Sequence, residues 1–424
     1  MYEDFLHFIW QFQYFDTSQL HTSQQDTLSI LDKGFPNSNA GADFHQARIL
    51  INGVEWVGNV EIHLKSSQWN QHKHHLNPQY NAVILHVVWE DDQPVQREDH
   101  SYIPTLTLKD RVNSEWLYKY QAILAHQSPI PCASQLREVR PLTKMMMLDQ
   151  TLVRRLEEKT FLFKALLIKN QGDWEESTYQ LLSKNFGFKI NSEAFLSLSQ
   201  AVPLKVLQKH RDQVSQVEAL LFGQAGFLDE RKDDPYFKNL QQEYLFLSEK
   251  YRIYNRKLDV ATWKFLRLRP ANFPEIRIAQ LAALICKDQG FFSIFLENNY
   301  EELRKIFKVT QNPYWQEHYR FAKKSSKKIS GLGKTSIDNI IINTVVPVLA
   351  TYSLEKGHQE AMDKALQLLE KLPAENNYVL RIWAELGQPV KTAYDSQALI
   401  ELYNHYCKAR KCLHCSIGIE LIRK

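Results

Sequence analysis

Apolar positions at the start of the chain recur at helical spacing, with Phe5, Phe8, Ile9, Phe12 and Phe15 on one face and Glu3 and Asp4 at the dipole-positive end. This pattern predicts an amphipathic helix. From about residue 44 the period changes to two. Arg48 to Asn52, the dipeptide Asn52-Gly53 and the residues from Val54 onward predict a β-hairpin, because Asn-Gly favours the turn that matches strand twist. The second strand alternates, with Val60, Ile62 and Leu64 on one face and Glu61, His63 and Lys65 on the other. Residues 66–80 are polar and rich in histidine, and Val83 to Val88 then form a short apolar run of the kind shown by a central strand covered on both faces. Thr105 to Leu108 predict one more strand.

After Trp116 the helical period dominates. Leu152, Leu156, Lys159 and Phe163 share a face, and residues 340–372 predict a helix pair joined around Gly357. Breaks are expected at Pro129 to Pro131, Pro203, Pro235, Pro270 to Pro274 and Pro313. The expected fold class is therefore α+β: a small mixed α/β sheet domain over residues 1–112, followed by a large all-α domain over 113–424.

Composition supports a packed protein. Of 424 residues, 44% are hydrophobic and 24% charged, which excludes disorder, and 14 Gly against 9 Trp, 19 Tyr and 22 Phe imply long elements with aromatic packing. No uninterrupted apolar run approaches the roughly 18 residues of a membrane span, and Glu3 and Asp4 stand where a signal peptide is basic, so a cytoplasmic protein without a membrane partner is expected. Five Cys are too few for a disulfide framework. A net charge of +4 permits an anionic partner without requiring one.

Chemistry concentrates in the first domain. His63, His72, His74, His75 and His86 crowd one stretch, with Asp43 and Glu61 close in sequence. A strand presenting Glu61, His63 and Lys65 in one row can hold a divalent cation, orient water and stabilise a developing oxyanion. An exposed sheet face with mutually paired charges shows the same row. His74 and His75 diverge on regular structure, so at most one is expected to face such a site, and His86 in its apolar strand reads as a core residue.

The segment Gly41-Ala42-Asp43-Phe44, followed after the hairpin by Gly58-Asn59-Val60-Glu61-Ile62-His63, resembles the PD-(D/E)XK nucleases. Trp69, His72, His74, Tyr80 and Val83 to Val88 are also similar to the very-short-patch-repair branch of that superfamily. The resemblance covers about 110 residues. It implies a metal-dependent nuclease-like enzyme that hydrolyses phosphodiester bonds in nucleic acid, with Asp43 and Glu61 as metal carboxylates and His63 as a ligand or water-orienting base. Lys65 would polarise the water, and His72 or His74 would protonate the leaving oxygen. Ala42 stands where the motif has Pro, and His63 where it most often has Lys. A strict two-residue hairpin pairs Asp43 with Ile62, on the wrong face for Glu61, so a bulge at Gly58 is predicted to align the carboxylates. Carboxylates suit Mg²⁺ or Mn²⁺, while several imidazoles shift preference toward Mn²⁺ or Zn²⁺.

Over its whole length the chain resembles a bacterial family designated domain of unknown function 2851. Ala40 to Phe44, Val60 to His63, Val83 to Val88, Leu221 to Gly226 and Cys407 to Gly418 carry that resemblance. It implies a nuclease-like first domain with a helical remainder, and no activity.

Cys407, Cys412 and Cys415 have chelating spacing, and Cys132 or Cys286 could supply a fourth ligand for Zn²⁺. Some PD-(D/E)XK nucleases join a distant Cys to a C-terminal trio around an iron–sulfur cluster, which singles out Cys132. Buried inert thiols are the alternative. Gly331-Leu332-Gly333-Lys334-Thr335 imitates a phosphate loop but has Lys328 where the motif needs Gly, so nucleotide binding there is rejected. Lys323, Lys324, Lys327 and Lys328 form one basic patch. Trp263, Lys264, Arg267 and Arg269, within a stretch reaching Arg277, form another, suited to phosphates and base stacking. Against the nuclease reading stand a non-catalytic nucleic-acid- or protein-binding protein with a degenerate nuclease fold, and a metallohydrolase of small molecules. Oligomeric state is left open.

Overall fold

A computed structural model describes residues 3–37, 40–287 and 290–424. The chain divides into two compact units, residues 1–147 together with 402–424, and residues 148–401. The boundary expected at residue 112 therefore lies 35 residues later, and the C-terminal segment belongs with the first unit. The reason is packing. Helix α3 (Ser114–Ala125) lies against the C-terminal helix Ser416–Arg423, and Glu420 accepts hydrogen bonds from the Arg140 backbone at 3.0 Å and from Arg140 Nε at 3.1 Å.

The first unit is built on a seven-stranded sheet. Its strands are β1 (Leu20–His21), β2 (Thr27–Asp32), β3 (Phe35–Pro36), β4 (Phe44–Ile51), β5 (Val54–Lys65), β6 (Val83–Glu90) and β7 (Thr105–Thr107), in the order β1-β2-β4-β5-β6-β7, with β3 also paired to β4. Antiparallel pairing as far as β5 gives way to parallel pairing of β5, β6 and β7. Helix α1 (Glu3–Phe12) forms as its period predicts and buries Phe5, Leu6, Ile9 and Trp10 completely. Strands β1 to β3 are the unforeseen elements, two of them only two residues long.

The hairpin turns at Asn52 (φ 50°) and Gly53 (φ 80°), as expected. In β4 and β5, Ala47 pairs with Gly58 but Phe44 with Val60, so His45 and Gln46 stand together opposite Asn59. A bulge is present, but it lies on β4 rather than at Gly58, because Gln46 adopts the left-handed φ of 60° that absorbs the extra residue. Gly58 answers a different constraint. A Cβ there would sit 2.4 Å from Ile84 Cγ2 and 2.5 Å from the Ala82 carbonyl oxygen, so only glycine lets β6 approach. Val83 to Val88 are all buried, as a strand covered on both faces requires. The crossover from β5 to β6 holds a short helix, α2 (Gln68–Gln71), and two 3-10 turns, His74–Leu76 and Pro78–Tyr80.

The second unit is helical, with one small ribbon, β8 (His318–Arg320) and β9 (Lys323–Lys324). Tyr179, Phe186, Phe195, Phe222 and Trp315 fill its core. Val346–Lys356 and Gln359–Lys371 form the expected pair, joined by Gly357 at φ 70°. The continuous helical stretch Lys334–Lys356 is long and apolar enough to cross a membrane by length and composition, and 78% of its most apolar window is buried as core.

Candidate metal centre

The bulge at Gln46 brings Asp43 opposite Glu61. The Asp43 backbone N–H donates to Glu61 Oε2 at 3.2 Å, and Asp43 Oδ2 accepts from the Ile62 N–H at 2.9 Å. Glu61 Oε1 lies 3.2 Å from His74 Nε2 and 3.5 Å from His63 Nε2, and His63 Nε2 lies 3.2 Å from His72 Nδ1. Tetrahedral ligands bonded at 2.0–2.2 Å stand about 3.3–3.6 Å apart. His63, His72 and His74 thus offer ring nitrogens that converge at the spacing of ligands to one ion, with Glu61 Oε1 beside His63 and His74.

Each imidazole has a reason to be there. His63 follows Glu61 by two residues on β5 and shares its face, while His86 on the parallel strand β6 lies opposite Glu61. His63 Nδ1 and His86 Nε2 are 2.8 Å apart, a contact that fixes the His63 ring and leaves Nε2 for the site. His72 caps the end of α2. Lys73 takes φ 60° and turns His74 inward, where Tyr80 stacks on it with ring centroids 3.8 Å apart.

A second group lies beside the first. His7 Nε2 on α1 is 3.4 Å from Asp43 Oδ2 and 3.8 Å from Glu3 Oε1. The cluster grades from fully buried His86 and nearly buried Glu61 and His63 to half-buried Asp43, His7 and Glu3 and exposed His72, so it opens to solvent at that edge.

Burial, with the Asp43 carboxylate, pushes Glu61 up to about 9. Burial and the neighbouring imidazoles drive His63 down to about 2, and burial takes His86 down to about 3. His74 is lowered by burial. Burial also opposes a proton on His7, but the contact with Asp43 and the charge of Glu3 outweigh it, and its pKa is raised. Among the described residues no lysine or arginine is ion-paired to the buried Glu61 carboxyl, whose nearest partners are the His63 and His74 imidazoles.

Of the residues singled out from sequence, Asp43, Glu61, His63, His72 and His74 are brought together. Lys65 is not: it is exposed at the end of β5, and only its backbone N–H is engaged, by Gln68 Oε1 at 2.9 Å. Its shared face does not put it in the cluster, because it lies exposed in the last pair of β5 with β6, opposite Glu90. His86 is buried as expected, yet in contact with the site. Glu3 and His7 escaped the sequence reading as site residues; their i,i+4 spacing beside an apolar stripe is the signal that could have found them.

Cys132, Cys407, Cys412 and Cys415 line one small cavity, while Cys286 lies in the other unit. Trp263 is no base-stacking surface: it is 4% exposed and donates through Nε1 to the Ala225 carbonyl at 2.9 Å. Helical packing of the unit claims it, leaving Lys264, Arg267 and Arg269 exposed around it. Arg277 is likewise buried, over the Phe188 ring. Lys323, Lys324, Lys327 and Lys328 are all exposed on and beside the ribbon.

Residues 3–378 match a family described as protein of unknown function (DUF2851). No curated protein and no solved structure matches the chain.

Proposed function

The chain belongs to the family of unknown function DUF2851, and we propose that it is a metal-dependent phosphodiester hydrolase acting on nucleic acid. The observation that carries this reading is the convergence of one ring nitrogen each from His63, His72 and His74, with Glu61 Oε1 3.2 Å from His74 Nε2 and 3.5 Å from His63 Nε2. The buried carboxyl without a cationic partner supports the same conclusion. Three imidazoles and one carboxylate favour Mn²⁺ or Zn²⁺ over Mg²⁺. Bound there, such an ion would polarise a phosphoryl oxygen and lower the pKa of a water.

The chain's own residues supply the rest. His63, oriented by His86, stays neutral and keeps a nitrogen lone pair available. Asp43 holds His7 at the open edge of the cluster and favours its protonated form, so His7 is placed to deliver a proton to a leaving oxygen. That role replaces the one expected of His72 or His74, which are taken up as ligands. Asp43 acts as the partner of His7, and Lys65 takes no part. The nuclease-like order of Asp43 just before β4 and Glu61 on the adjacent strand β5 supports a phosphodiester substrate, and the exposed Lys264, Arg267, Arg269, Lys323, Lys324, Lys327 and Lys328 suit a nucleic-acid backbone.

The test is incubation of the purified chain with labelled single- and double-stranded DNA and RNA in Mn²⁺, Zn²⁺ or Mg²⁺, beside an Asp43→Ala/Glu61→Ala double variant. Cleavage lost in the variant is expected. Absence of cleavage on all substrates and ions by both proteins contradicts the proposal.

A further inference from the structure

Four of the five cysteines meet in one place, although one of them is far from the others in sequence. Cys132 precedes the 3-10 turn Ala133–Glu138, Cys407 ends the helical segment Leu402–Cys407, Cys412 opens the turn Cys412–His414, and Cys415 caps the helix Ser416–Arg423. All four belong to the first unit, all are buried, and none is in a disulfide. Together they border a cavity of about 20 Å³.

That cavity separates this arrangement from ordinary apolar packing. Cysteines serving as small hydrophobes close against their neighbours and leave no space between them. Here all four cysteines line the space. Cys415 stands at the N-cap of the last helix, and Gly418 in its first turn lies against the Cys412 backbone. Gly418 permits this approach, since a Cβ there would meet the Cys412 carbonyl oxygen at 2.3 Å.

We infer that Cys132, Cys407, Cys412 and Cys415 ligate a thiophilic metal centre that ties the C-terminal segment to the segment around residue 132. Four thiols lose their protons to solvent as four metal–sulfur bonds form. Without a metal, burial holds Cys132 and Cys412 near 12, so the thiols stay protonated at neutral pH. Tetrahedral zinc, with Zn–S near 2.3 Å, sets its sulfurs about 3.8 Å apart. An iron–sulfur cluster held by four thiolates takes the same ligand set, and metal content tells the two apart.

The centre also bears on the first site's surroundings, because α1, which carries Glu3 and His7, packs against the Cys412–His414 turn. The inference itself stands whether or not the first site is catalytic.

The test is metal and acid-labile sulfide analysis of the full chain purified without air, with visible absorption spectra, beside Cys132→Ser and a Cys286→Ser control. Iron and sulfide near four each per chain, with visible absorption, support the cluster form, and about one zinc per colourless chain supports the single-ion form. In either case the content is expected to fall at least severalfold in Cys132→Ser and to be unchanged in Cys286→Ser. Both are repeated in a His74→Ala background, so that metal at the histidine site is not counted, and if Cys132→Ser does not fold, the content of the His74→Ala protein decides. Wild-type protein with no stoichiometric metal, whether its four thiols titrate as free or are paired in disulfides, overturns the inference.

Discussion

Asp43 and Glu61 are locked across two strands: the Asp43 N–H donates to Glu61 Oε2 at 3.2 Å, while the Asp43 carboxylate accepts from the N–H beside Glu61, that of Ile62, at 2.9 Å. A hairpin without a bulge opposes Asp43 to Ile62. The extra residue of β4 moves Asp43 by one position, so the placement of the carboxylates rests on Gln46, which touches neither by side chain.

Removing that residue is therefore expected to undo the site without removing the strands. Deletion of Gln46 restores the unbulged register and should reduce metal affinity by tenfold or more, read by calorimetric titration. Gln46→Gly relieves a non-glycine residue held at φ 60° and should raise stability by about 0.5–1 kcal/mol in urea unfolding, with metal binding intact.

Gly58→Ala forces a Cβ to within 2.5 Å of both Ile84 and the Ala82 backbone. Overpacking against a central strand is expected to cost about 2 kcal/mol or more in the same unfolding measurement.

His7 and His74 should separate binding from chemistry. His7→Ala is expected to leave metal stoichiometry unchanged while lowering the cleavage rate by about 10²–10⁴ at saturating metal, the usual worth of a general acid. Loss of metal in His7→Ala would instead place His7 among the ligands.

Glu218 in the helical unit gives a pH dependence free of the metal site. It accepts from Tyr236 Oη at 2.5 Å and Asn312 Nδ2 at 3.2 Å, its Oε1 is buried without a partner, and burial pushes it from 4.5 up to about 7. The folded chain thus keeps a proton that the unfolded chain has released. Stability from this group is full below pH 4.5 and is lost as pH rises through about 7, by on the order of 3 kcal/mol. Glu218→Gln should flatten that part of the stability profile, measured by chemical unfolding from pH 4 to 8.

What the sequence revealed, and what it hid, follows from the range over which each feature is encoded. Helix α1, the Asn52-Gly53 turn and the buried run at Val83 to Val88 are local patterns and were legible as such. Strands β1 and β3 are two residues long, too short to carry a period, and exist because β2 and β4 offer them partners. Trp263 and Arg277 resemble a nucleic-acid surface in one dimension, but the helical core encloses both. Lys65 alternates correctly with Glu61 and His63, yet alternation says nothing of where a strand leaves its cover. The histidine cluster was visible as composition. Its completion by His7 and Glu3, like the meeting of Cys132 with the C-terminal trio, depends on contacts between segments distant in the chain.

The most direct test of the metal centre is titration of metal-free protein with Mn²⁺ and Zn²⁺ by calorimetry, comparing Glu61→Ala and His74→Ala with Lys65→Ala. To isolate the histidine site, all are made in a Cys132→Ser background, with the folded state of each checked by circular dichroism. The expected result is binding near one ion per chain in the background protein and in Lys65→Ala, and its loss in the other two. Equal binding in all four, or none in a folded background protein, contradicts the account.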